Sequence, residues 1–295
     1  MFSLLNHRRA VLLMIIAAVL WSSAGVMTRQ LDAARGFEVT FWRSFFAAVF
    51  VVGALRWQQR GRVLTKLRNL GPVGLVSGAM WATMFCCFMI ALTMTTVANT
   101  LIVLSVAPLL TALLAWLLLH QRIASRTWLA IAVACVGIGW MFSSGVSHVS
   151  GTSLIGMGIA FGAPLAASVN FILLKKAGAQ VDLIPAVLVG ATLSALAMLP
   201  FSWPMQASLH DVAILAGLGF FQLGLPCMMV VTASRALSAP EMSLLALVEV
   251  LLGPVWAWLG AGEIPATDTL VGGALVIAAL VFNELVALRR PAAVA

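Results

Sequence analysis

The sequence predicts an all-α membrane protein of ten transmembrane helices, arranged as two inverted five-helix repeats. Three observations predict it. Of 295 residues, 62% are hydrophobic and only 9% charged, with a mean hydropathy of +1.09. A water-soluble domain of that size would expose one continuous apolar patch, so lipid must be its solvent. Apolar runs of the ~17–25 residues a helical span needs recur along the chain, and the alternating ~10-residue segments of a membrane barrel do not. Finally, the chain matches itself, weakly but without gaps, at a shift of 142 residues (109 onto 251).

The first span grows out of the basic start NHRRAVLLMIIAAVLW (6–21). That pattern resembles a secretion signal, but the apolar run continues to about Thr28 with no small-x-small cleavage site, so the segment is expected to stay as the first helix. The runs place spans at about 10–29, 37–55, 71–92, 97–119, 127–143, 152–174, 183–201, 211–233, 241–260 and 269–288. Pro72, Pro185, Pro200, Pro204 and Pro240 fall at span ends, where a missing N–H is tolerated, whereas Pro108, Pro164, Pro226 and Pro254 fall inside and predict kinks. With this threading, fourteen of the 17 Lys and Arg gather on one side, against Arg29 and Arg35 on the other. Positive loops stay in the cytoplasm, which predicts cytoplasmic termini. Trp57, Trp128, Trp140, Trp203, Trp256 and Trp258 lie near span ends, as interfacial anchors do. Cys86, Cys87, Cys135 and Cys227 lack metal-ligand spacing and read as small buried hydrophobes, so neither metal nor cofactor is predicted. The net charge of +8 is carried by short loops and gives no reason to expect nucleic acid.

The self-match sets LLTALLAWLLLHQRIASRTW (109–128) on LLGPVWAWLGAGEIPATDTL (251–270). It pairs span four with nine and five with ten. The loop HQRIASR (120–126) is basic, and its counterpart GAGEIPATD (260–268) is acidic. Five spans per half is an odd number, so the second half inserts upside down. The predicted division is 1–148 for the first repeat and 149–295 for the second. Inverted repeats about an axis in the membrane plane are a transporter architecture, because exchanging the roles of the halves exchanges the side to which the centre opens.

Four stretches carry a family resemblance: LWSSAGVMTRQL (20–31), VTFWRSFFAAVF (39–50), VAPLLTALLAWLLLHQRI (106–123) and LVEVLLGPVWAWLGAGEI (247–264). On them the chain resembles the ten-span members of the drug/metabolite transporter superfamily, over about residues 10–288. Arg43 sits in the family's aromatic-Arg position and Gly262-Glu263 match its Gly-Glu ending. In the first half His120-Gln121 replace that pair, and Val250 follows Glu249 where the family has proline. The first two stretches further resemble bacterial exporters of aromatic and other neutral amino acids. The resemblance implies a carrier in the bacterial inner membrane, moving small metabolites outward without ATP; no P-loop is present, in agreement.

Polar residues within spans are the candidate substrate contacts. A mid-span carboxylate costs ~2.5–3.5 kcal/mol on insertion scales, so Glu249 is expected to face a cavity or a partner. Pro254 frees the carbonyl of Val250 and predicts a bend and a small wet pocket beside it. Glu249 then contacts a substrate ammonium or acts as a protonatable gate; the bland reading is a polar tie between helices. Arg43 lies roughly 9 Å below one edge and Glu249 roughly 12 Å above the other. In a core of ~30 Å that leaves a vertical gap of about 9 Å, so no direct salt bridge is expected. Arg43 should instead meet helix-end carbonyls, Glu38 or water, with a substrate carboxylate as the functional alternative. Asn170, Gln222, Asn99 and Ser22 are placed to bind an amino-acid backbone or to serve as interhelical glue. Trp21 and Trp81 lie away from span edges and are candidates for the cavity wall, with ordinary packing as the alternative. Small residues in AIAVACVGIG (130–139) and GGALVIAAL (272–280) predict close contact of spans five and ten at the back, or a dimer seam.

The leading reading is therefore export of amino acids or similar metabolites by alternating access through a central cavity. The alternative is a proton-coupled multidrug efflux pump, weakened because span one (10–28) carries no carboxylate of the kind four-span drug pumps use. An intramembrane enzyme is disfavoured, since no His-Glu cluster, Ser-His pair or paired aspartates occur within spans. A small-molecule substrate and membrane lipid are the expected partners; protons stay open, and a monomer is favoured over a dimer.

Overall fold

A computed structural model describes residues 6–28, 30–59, 63–95, 97–141, 151–178, 181–261 and 267–289. Every regular element among them is helical. The first half contains α1 (His7–Ser22), α2 (Ala24–Thr28), α3 (Gly36–Gln59), α4 (Val63–Arg68), α5 (Gly71–Met94), α6 (Val97–Leu104), α7 (Ala107–Leu119) and α8 (Ser125–Met141). Then follow α9 (Gly151–Ala177), α10 (Ile184–Met198), α11 (Leu209–Gly217), a π-helical segment (Leu218–Gly224) and α12 (Leu225–Ala233). The chain closes with α13 (Ala239–Ala246), α14 (Val248–Ala261) and α15 (Thr267–Arg289). Seven helical stretches among the described residues are long and apolar enough to cross a membrane, and Ser125–Met141 and Thr267–Asn283 are shorter apolar helices.

Three apolar runs are interrupted, and hydroxyls or proline explain two interruptions. At the α1–α2 break, Ser22 and Ser23 donate to the carbonyls of Val19 and Leu20 at 2.6 and 2.7 Å, competing with the backbone ladder. At the α6–α7 break, Ser105 does the same to Ile102 at 2.6 Å, and Pro108 has no N–H to offer the Leu104 carbonyl. The α13–α14 break is a tight turn in which the Leu247 N–H reaches Leu244 at 3.0 Å. Helix α14 continues past Pro254, and this interruption lies upstream, two residues before Glu249. The π segment has a proline cause. Pro226 cannot donate to the Gln222 carbonyl, and the Leu225 N–H reaches five residues back to Phe220.

Helix α5 packs on α9 and α10; α3 on α10 and the π segment; α1 on α12, α13 and α14; α7 on α9 and α13. Helices α8 and α15 pair with each other, where Gly137 and Gly272 sit back to back: a Cβ on Gly272 would lie 2.6 Å from the Met141 amide nitrogen. Asn283 is buried in this seam, accepting from Thr127 at 3.1 Å. At one end of the bundle two carboxylates clamp each other's loops. Asp211, opening α11, accepts from the backbone N–H groups of Asp32, Ala33 and Ala34 at 2.7, 3.0 and 2.9 Å. Glu38, opening α3, accepts from those of Gln206 and Ala207 at 3.0 and 2.9 Å. Glu38 is thus committed to this clamp and is not the partner of Arg43 that the sequence suggested.

Overpacking the α8–α15 seam costs about 1–3 kcal/mol. Gly272→Ala is therefore expected to melt several degrees below wild type in detergent. Gly139→Ala, whose Cβ would meet nothing within 4 Å, should melt with the wild type. Equal melting of the two variants would contradict this packing.

Candidate functional site

The interruptions converge on one cavity of about 860 Å³, counting its open mouth. Trp21 reaches it from the end of α1, Arg43 from α3, and Met84, Phe85 and Phe88 from α5. Leu104 and Ala107 flank the α6–α7 break, and Ala246 and Glu249 flank the α13–α14 break, at the same 142-residue shift. Pro164, Ala167 and Phe171 of α9 and Gln222 of the π segment close the remaining walls. The wall is mainly apolar, and its charged groups are Arg43 and Glu249.

Broken helices leave backbone carbonyls that need donors away from water. Gln222 donates through Nε2 to the Trp21 carbonyl at 3.1 Å, beside the α1–α2 break. At the first turn of α7 the Thr111 hydroxyl donates back to the Ala107 carbonyl at 2.8 Å, and the Ser168 hydroxyl of α9 donates to the same oxygen at 3.1 Å, tying α9 to α7. Trp256 donates to Ser22 Oγ at 2.7 Å, tying α14 to α1.

The predicted site residues divide into two groups. Glu249, Gln222, Trp21 and Arg43 line the cavity. Asn170, Asn99, Ser22 and Trp81 are not among its lining residues. Asn170 is fully buried and accepts from Ser77 of α5 at 2.6 Å. Asn99 donates to Thr95 at 3.0 Å and to Ser153 at 3.4 Å, at the far end of the bundle. Trp81 is buried against Phe85, with ring centroids 5.9 Å apart. Unforeseen in the wall are Phe85, Phe88 and Phe171, which nothing sets apart in so apolar a chain. Ser243 was legible in principle: it precedes Ala246 and Leu247 by three and four residues and so shares their helical face.

Arg43 and Glu249 form no ion pair within 4.0 Å, although both line the cavity. Arg43 donates to the thioether of Met89 at 3.0 Å, and its buried Nε has no partner. Both groups therefore face the same space, from α3 and from α14, without pairing.

Two polar latches lie beyond the cavity at opposite ends of the bundle. At the end where α1 begins, His7 and Glu241 meet at 2.6 Å, joining α1 to α13. At the other end, Thr95 and Ser153 meet at 2.7 Å, with Asn99 beside them, joining the start of α6 to α9. Glu241 and Asn99 are again 142 residues apart.

The EamA-like transporter family matches residues 8–143 and, a second time, 154–284. The chain belongs to that family. It is thus a member of the drug/metabolite transporter superfamily, and a transporter rather than an enzyme. The pseudopaline exporter CntI from two Pseudomonas aeruginosa strains (UCBPP-PA14 and PAO1) is 24% identical to this transporter over 279 residues, 93% of this chain and 95% of the relative. A solved crystal structure shares the fold with a TM-score of 0.82 at 18% identity, covering 97% of this chain and 100% of its own.

A bulky ring in the cavity should block passage without unfolding the bundle. Ala246→Trp is expected to purify as a monodisperse protein and to lose transport. Leu117→Trp, at a residue 56% exposed on the outer surface, should keep it. Undiminished transport by Ala246→Trp would exclude the cavity from the route.

Proposed function

We propose that this EamA-like chain is a ten-span exporter of amino acids, aromatic or neutral, or of metabolites of similar size, working by alternating access. It sits in a bacterial inner membrane with both termini in the cytoplasm, and residues 1–148 and 149–295 form its two inverted halves. The observation that carries the reading is the exchange symmetry around the cavity. Packing of α5 on α9 and α10 is answered by packing of α12 and the π segment on α1 and α3. Packing of α6 and α7 on α9 is answered by α13 and α14 on α1. Two family matches on one chain and equivalent interruptions near Ser105 and Leu247 point the same way. The latch at His7 and Glu241 would close the cytoplasmic mouth, and the latch at Ser153 and Asn99 the external one. The outward direction is supported by the exporter named among its relatives.

A proton-coupled drug pump is the second reading, supported by Glu249 as the carboxylate in the cavity wall. Counterflow decides between them. Proteoliposomes loaded with an unlabelled neutral amino acid are expected to accumulate the labelled one with no pH gradient. Cysteines placed in 121–124 and 263–266 should label from opposite sides of the membrane. Labelling from a common side would remove the inversion, and with it this reading.

A further inference from the structure

The cavity holds more unsatisfied polar capacity than transport of an apolar molecule needs. Arg43 is 5% exposed, donates only to a weak thioether acceptor, and leaves Nε without a partner. Glu249 has no hydrogen bond or ion pair among the described residues and faces the same cavity. Gln222, 4% exposed, uses its amide nitrogen on the Trp21 carbonyl, and its Oε1 has no partner. Ser243, 1% exposed, has a hydroxyl without a partner and lines the cavity with them.

Two opposite charges in an apolar enclosure normally close into a contact pair, since a buried charge without a partner is strongly destabilising. Here no such pair forms, although both residues line the one cavity. A cationic ligand would neutralise Glu249 and leave Arg43 stranded, and an anionic one would do the reverse. A molecule carrying both charges a carbon or two apart satisfies both at once. A primary ammonium has three N–H donors; the Glu249 carboxylate is one acceptor for it, and the lining residues Gln222 and Ser243 carry two more oxygens that have no partner. The planar guanidinium of Arg43 suits a carboxylate. Phe85, Phe88 and Met84 leave apolar wall for a side chain.

We infer that Arg43 and Glu249 clamp the two ends of a zwitterionic headgroup, carboxylate on Arg43 and primary ammonium on Glu249, Gln222 and Ser243, so that the transported class is amino acids with an uncharged, apolar side chain. This deepens the exporter reading and rests on it. The clamp sets selectivity by charge count: molecules of the same body with one charge fewer are refused because they strand a buried partner.

The test uses three probes with one aromatic body: L-phenylalanine, phenethylamine and 3-phenylpropionate, each competing against counterflow of a labelled neutral amino acid through the full-length protein in liposomes. With wild type, phenylalanine should compete and the two singly charged probes should be weaker by about thirtyfold or more, the cost of an unpaired buried charge. Glu249→Gln should lose phenylalanine and gain 3-phenylpropionate, and Arg43→Gln should lose phenylalanine and gain phenethylamine. A merely structural role for either residue would lower all three probes together and would overturn the clamp. Should a variant fail to fold, the wild-type comparison decides alone: equal competition by phenylalanine and phenethylamine overturns the clamp while leaving transport intact. If no neutral amino acid moves through folded wild type, the exporter reading itself falls.

Discussion

Polar groups at bilayer depth must find their partners inside the protein, because hydrocarbon offers none. In this chain that constraint falls on interrupted helices as well as on charged side chains. At the α1–α2 break the donor is Gln222, which reaches the Trp21 carbonyl, and at the start of α7 the Thr111 and Ser168 hydroxyls meet the Ala107 carbonyl. Outward-facing positions stay apolar, as Leu117, Leu196 and Leu259 illustrate. The cavity is the consequence: a wall of Phe, Ala, Leu and Pro in which a few polar atoms are concentrated.

Positions 142 residues apart meet at the cavity with different chemistry. Ala107 and Glu249 both line it beside helix breaks, and only the second is charged. The same holds at the ends, where His7 and Glu241 pair at one and hydroxyl and amide groups at the other. On the exporter reading, similar scaffolds provide two related conformations, and the unequal side chains let substrate weigh on them differently.

The sequence carried much of the scaffold and less of the site. Apolar runs are a demand of the bilayer and are written along the chain. The interruption beside Glu249 was not foreseen, since the tight turn at Leu247 has no local signal of the kind a proline gives. Trp21, Arg43, Gln222 and Glu249 line the cavity, but Asn99, Asn170, Ser22 and Trp81 are engaged elsewhere. In a helix apolar on every face, periodicity cannot tell which side a polar residue presents. Asn283, near the end of the last apolar run, is buried between α8 and α15. Glu38 was offered as a partner for Arg43 on proximity in sequence, yet its carboxylate is taken by the 206–207 backbone, a long-range contact no local pattern records.

The most direct test of alternation is a pair of distances measured on one protein. Spin labels at Arg8 and Ser238 straddle the latch where α1 meets α13, and labels at Gly151 and Val97 straddle the one where α9 meets α6. On adding a transported substrate in lipid, the two distance distributions should shift in opposite senses, one mouth narrowing as the other widens. Distributions that stay fixed, or that widen together, would contradict a carrier whose halves exchange roles about a central cavity.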